Sequence, residues 1–108
     1  MSYQTPESRL ACDLAAMDRH QRERHQILVQ RWTRSSQAMQ ELPNGYAFRF
    51  EPDDALWLML AEFITLEHRC CPFLELSLTR ERDNGPMHLR LTGGDGVKKL
   101  LRSELALG

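Results

Sequence analysis

Leu74-Glu75-Leu76-Ser77-Leu78-Thr79-Arg80-Glu81-Arg82-Asp83-Asn84-Gly85-Pro86-Met87-His88-Leu89-Arg90-Leu91 holds two alternating runs joined by a turn. Leu74, Leu76 and Leu78 alternate with Glu75, Ser77 and Thr79, the period of a strand with one buried face. Met87, Leu89 and Leu91 repeat that pattern, and Asp83-Asn84-Gly85 between the runs is a strong hairpin signal. Upstream, Tyr46, Phe48 and Phe50 alternate in a further strand, Tyr46 to Phe50. The intervening segment, Ala55 to Cys71, carries Leu56, Leu60, Phe63 and Ile64 on one helical face. Pro52-Asp53 caps the start of that helix. Pro72 lacks an amide hydrogen and disfavours helical geometry in the residue before it, so the helix should end near Cys70.

The order strand, helix, strand, strand predicts a small α+β domain with a three-stranded antiparallel or mixed sheet covered by helices, resembling half of a ferredoxin-like fold. The last strand should lie between the other two, antiparallel to both. Asp18 with Gln21 has the form of a capping box, so a helix is predicted from Arg19 to Glu41. Leu28, Trp32, Met39 and Leu42 should line its buried face, with Pro43-Asn44-Gly45 ending it. Trp57 and Met59 are expected in the core. The alternation from Arg9 to Leu14 suits either a short strand or a first helical turn, and residues 1–8 read as loose. Gly93-Gly94-Asp95-Gly96 is a turn before a short final helix with Val97, Leu100, Leu101 and Leu105; it lacks the Lys-Ser/Thr of a phosphate loop. His88, Arg90 and Arg49 should share the open face of the sheet, where a second copy could form a homodimer.

At 108 residues, residues 1–108 form one domain. The 42% hydrophobic content supports a modest core, and a net charge of −1 gives no global field to recruit nucleic acid or anionic lipid. No segment reaches the roughly 18 apolar residues of a membrane span, and the N-terminus lacks a signal peptide's basic and apolar regions. A cytoplasmic location is expected, with no nucleic-acid or membrane partner. There, Cys12, Cys70 and Cys71 suggest ligation or redox chemistry before a structural disulfide. Arg19, Arg22, Arg24, Arg31 and Arg34 spread around their helix without a stripe and read as solvated. His20 and His25, on different sides of that helix, read the same way.

Glu67 breaks the pattern. It falls in the centre of the apolar stripe, where a carboxylate is costly unless something positive or hydrogen-bonding meets it. Cys70 and Cys71 flank it at i+3 and i+4. Thiolates favour zinc, copper(I) or mercury(II), and zinc also accepts a carboxylate. Arsenite fits the same grouped thiols. Adjacent side chains on a regular helix diverge by about 100°, so both sulfurs reach one ion only if the helix unwinds at Pro72. Cys12 joins them if the N-terminal segment crosses this helix end. Against ligation, buried cysteine often acts as a small hydrophobe, and Glu67 has an alternative partner in an arginine such as Arg90. A helix C-terminus and a nearby carboxylate raise thiol pKa and oppose nucleophilic catalysis, whereas a bound cation deprotonates its thiols.

Glu41 to Phe50, Glu67 to Leu74 and Leu89 to Gly93 resemble a family of small, largely uncharacterised bacterial proteins with a Glu-x-x-Cys-Cys-Pro-Phe segment, often with an upstream cysteine. The resemblance covers most of residues 10–103 and implies an α+β domain with a functional cysteine pair, without implying a reaction. Gly94-Asp95-Gly96 stands where that family often has Pro-Glu-Gly. The expectation is a protein that binds zinc or another soft or borderline metal or metalloid ion through Cys70 and Cys71. Glu67 would be a ligand or supporting base and Cys12 a further ligand, for sequestration, delivery or sensing. Rival expectations are a thiol redox protein using Cys12 against Cys70 or Cys71, and an interaction domain with inert cysteines.

Overall fold

Asp18 opens the first long helix through the capping box its sequence predicts. Its carboxylate accepts the Gln21 amide at 2.8 Å, and the Gln21 side chain accepts the Asp18 amide at 3.0 Å. The structure is a computed structural model that describes residues 11–107. Helix α1 spans Arg19–Ser35, strand β1 Ala38–Leu42, strand β2 Gly45–Phe50, helix α2 Asp54–Cys70, strand β3 Glu75–Arg80, strand β4 Met87–Thr92 and helix α3 Val97–Glu104. The sheet order is β1-β2-β4-β3, antiparallel throughout. The predicted arrangement of β4 between β2 and β3 is present.

The sheet has four strands, not three, because the helix predicted to reach Glu41 stops at Ser35. Thr33 and Ser35 hydrogen-bond back to the carbonyls of Val29 and Arg31, at 2.6 and 3.0 Å, and Ser and Thr are poor helix formers for that reason. Downstream, Ala38–Leu42 gains a ladder with β2, from Ala38 opposite Arg49 to Leu42 opposite Gly45. Most of this edge strand is exposed, so it shows no alternation. Met39, expected in the core, is 49% exposed. Pro43-Asn44-Gly45 turns the hairpin instead of merely ending a helix. A Cβ on Gly45 would run into the Leu91 carbonyl of the neighbouring strand. Gly45→Ala should therefore cost about 1–3 kcal/mol by overpacking. Urea unfolding should show it as a lowered midpoint with an unchanged slope.

The helices cover one face. Tyr46, Phe48 and Phe50 of β2 and Met87, Leu89 and Leu91 of β4 meet Leu28 and Trp32 of α1, Leu60, Phe63 and Leu66 of α2, and Val97 and Leu101 of α3. Trp57 and Met59 pack partly buried against this core. Arg24 clamps α1 to α2 through two hydrogen bonds to Glu62, at 2.8 and 2.9 Å. On the opposite face, Arg49 lies across from His88 and Ser77 across from Arg90, as the alternation predicts. No helix among the described residues is long and apolar enough to cross a membrane.

Before α1, Leu14–Ala16 forms a single 3-10 turn capped by Asp13. Neither the strand nor the α-helical turn expected near Leu14 forms there; Arg9, Leu10 and the loose residues 1–8 lie outside the described range. Two contacts fix this segment. Arg22 donates to the Met17 carbonyl at 2.8 Å, and the Asp13 amide donates to the Cys70 carbonyl at 2.8 Å. The second bond satisfies a carbonyl that the end of α2 leaves without a helical partner. It also lays Cys12 over that helix end.

Candidate metal centre

Helix α2 presents Glu67 on the stripe of Leu60 and Phe63, and its side chain is fully buried. Cys70 is the last helical residue. Cys71 leaves helical geometry at φ −130° and ψ 65°, although its amide still donates to the Glu67 carbonyl at 2.8 Å. That departure brings the adjacent sulfurs to 3.4 Å, overcoming the divergence of a regular helix. Glu67 Oε1 lies 3.5 Å from Cys70 Sγ and 3.8 Å from Cys71 Sγ. Cys12 meets Cys71 with a Cα separation of 4.9 Å, and their sulfurs are bonded as a disulfide. Cys70 remains a free, buried thiol. All four residues nominated from sequence thus converge at one helix end.

Two further residues join them. His25 Nε2 lies 2.9 Å from Glu67 Oε1, in place of the arginine partner considered for that carboxylate. His25 is buried, not solvated as its spacing from His20 suggested, because it continues the α1 stripe of Leu28 and Trp32. Its ring stacks on Phe63 at 5.6 Å. Glu104, the last residue of α3, places its carboxylate 3.8 Å from His25 Nε2 and 3.9 Å from Cys12 Sγ. A signal for both existed. His25, Leu28 and Trp32 follow i, i+3, i+7 spacing, and so do the positions of Val97, Leu101 and Glu104 to within one residue.

The ionisable groups of the cluster are strongly perturbed by burial. Burial pushes the Cys70 thiol up to about 12, helped by the charge and hydrogen bond of Glu67 and by the charge of Glu104. Burial also pushes Glu104 up to about 9, with the neighbouring Glu67 carboxylate reinforcing the shift. Glu67 Oε2 is buried without a hydrogen-bond partner among the described residues. No arginine or lysine pairs with either carboxylate among those residues, and the α2 C-terminus adds the negative end of its dipole. Apart from the His25 imidazole, no positively charged side chain meets this cluster among the described residues.

The ligating atoms fall into three overlapping groups, each within 4.8 Å: Cys12, Cys70 and Cys71; His25, Glu67 and Cys70; and Glu67, Cys71 and Glu104. The three cysteines lie close enough together to hold a metal ion. Outside them, a cavity of about 700 Å³ between α1 and the end of α3 is walled at its inner side by His25 and Glu104. Leu14, Val29 and Leu105 line its apolar parts. Comparison of the chain with protein-family models, with curated proteins and with solved structures gave no match.

Proposed function

We propose that the reduced protein binds one zinc or other thiophilic ion through Cys70, Cys71 and Glu67. Cys12 and His25 approach this group from different sides as candidates for the fourth position. The carrying observation is a triangle. Cys70 Sγ, Cys71 Sγ and Glu67 Oε1 are separated by 3.4, 3.5 and 3.8 Å. A tetrahedral zinc with sulfur at about 2.3 Å and oxygen at about 2.1 Å requires about 3.8 Å between sulfurs and about 3.6 Å from sulfur to oxygen. The spacing is close to one face of that tetrahedron. Ligand types agree as well, since zinc and cadmium accept thiolate, imidazole and carboxylate together.

Binding would also resolve the buried charge. An ion gives the Glu67 carboxylate a positive partner and deprotonates the Cys70 thiol that burial holds protonated. Sequestration, delivery and sensing all use such a site. Adding Cd²⁺ to reduced, metal-free protein should produce thiolate-to-metal ultraviolet absorption that saturates at one ion per chain. Cys70→Ser and Cys71→Ser should each weaken binding by about 100-fold, the share of one ligand in a four-ligand structural site. Saturation at no defined ratio, or serine variants that bind like the parent, would remove this function.

The Cys12–Cys71 bond favours a second reading, a thiol redox protein. That reading requires an activated thiol among Cys12 and Cys71; the cluster's free thiol, Cys70, is pushed the other way by burial and would not serve as one. Alkylation rates across pH distinguish the two. A cysteine ionising well below about 8.5 in the metal-free protein would favour redox chemistry.

A further inference from the structure

We infer that the metal site is redox-gated: forming the Cys12–Cys71 disulfide and holding the ion are mutually exclusive uses of the same sulfur. This inference rests on the metal-binding reading and adds to it a means of release. Cys71 contributes one corner of the ligand triangle, yet its sulfur also lies in bonding position with Cys12. A sulfur in that bond has no thiolate to offer a cation. Oxidation would therefore remove Cys71 and Cys12 from the set together, leaving Cys70, Glu67 and His25. The Asp13-to-Cys70 backbone hydrogen bond keeps the two partners aligned.

The order of attack follows from exposure. Cys70 is 1% and Cys71 0% exposed, whereas Cys12 is half-buried, so Cys12 is the sulfur an oxidant reaches first. Hydrogen peroxide is a sufficient oxidant. The Cys12 thiolate attacks one peroxide oxygen; an S–O bond forms, the O–O bond breaks, and hydroxide leaves to become water on protonation. The Cys71 thiolate then attacks the Cys12 sulfenic sulfur. The S–S bond forms, the S–O bond breaks, and the second hydroxide becomes water. Two electrons pass from the sulfurs to peroxide, two protons are taken from solvent, and the ion is left with too few thiolates. Cys70 does not compete for the Cys12 sulfenic sulfur, because Cys71 is the one whose sulfur lies in bonding position with Cys12 while Cys70 stands free.

The test uses the full chain, reduced, loaded with Zn²⁺ and freed of excess metal. Hydrogen peroxide is added while a chromogenic chelator reports release, and intact mass with peptide mapping reports the bond. The expected result is loss of one zinc per chain in step with loss of two hydrogens, a Cys12–Cys71 link, and recovery of binding after reduction. In Cys12→Ser, the peroxide-dependent part of zinc release, over that into chelator without peroxide, should be slower by about tenfold or more, since the reachable thiolate is gone. A mapped Cys12–Cys71 link with zinc still bound would overturn the gate while leaving the metal site standing. Release from Cys12→Ser at the parent rate would do the same. Reduced protein that never retains Zn²⁺ would overturn both readings, and a Cys12–Cys71 link still mapping in it would mark the failure as that of the metal site.

Discussion

Glu67→Leu is expected to raise the stability of the reduced, metal-free protein while removing its ion. Glu67 is fully exposed to the costs of burial: no solvent reaches it, and Oε2 has no partner among the described residues. Replacing a whole buried ion pair with well-packed apolar residues is often stabilising, by about 1–4 kcal/mol. The same sign is expected here because the partner left behind, His25, reaches water at the cavity instead of staying buried and unpaired. Leucine here would complete the stripe of Leu60, Phe63 and Leu66. His25 loses an acceptor, but it borders the cavity, where water can replace that contact. Ion affinity should fall by about 100-fold, because a structural zinc site supplies about 10–16 kcal/mol across four ligands. Urea unfolding in a reducing, chelator-containing buffer measures the first effect, and zinc competition with a chelator measures the second. Loss of stability with undiminished affinity would make Glu67 a structural acceptor for His25 and the thiols. A group kept at a cost to folding is the expected signature of function.

Trp32→Ala should be the most damaging core substitution. Trp32 is fully buried, with ring centroids 4.9 Å from Phe48, 5.2 Å from Phe63 and 6.2 Å from Phe50. It therefore ties α1 to both the sheet and α2. Truncating such a residue costs about 3–5 kcal/mol through lost burial and the cavity left behind. Small domains typically have only about 5–15 kcal/mol in total, so much of the margin would go. Trp32→Phe should cost less than Trp32→Ala, because phenylalanine refills most of the space that alanine leaves empty. Either change removes an indole Nε1 buried without a partner among the described residues. Thermal or urea unfolding of the two variants side by side checks the order. The reverse order would mean that a phenyl ring strains this site more than the cavity left by alanine costs.

The architecture was legible wherever one face of an element is buried. β2, β3, β4, α2 and α3 alternate or repeat at their proper periods, and the capping box marks the start of α1. β1 was not legible because it lies at an exposed edge and is held by its ladder with β2 more than by a buried side-chain face. For the site, Glu67 stood out through its neighbouring cysteines. His25 and Glu104 occupy comparable places on the apolar stripes of α1 and α3, but no cysteine beside them drew attention. Their meeting depends on how three helices cross, which local periodicity does not contain. The position of Cys12 rests on long-range contacts, the Asp13-to-Cys70 backbone hydrogen bond and the bond to Cys71 among them, and no sequence pattern encodes these.

Zinc K-edge X-ray absorption on the reduced, zinc-loaded protein tests the central claim most directly. The predicted spectrum has a mixed shell, with sulfur at about 2.3 Å and nitrogen or oxygen at about 2.0–2.2 Å. The sulfur contribution should shrink in Cys71→Ser. A shell of nitrogen and oxygen alone, or a sulfur contribution unchanged in that variant, would contradict the site.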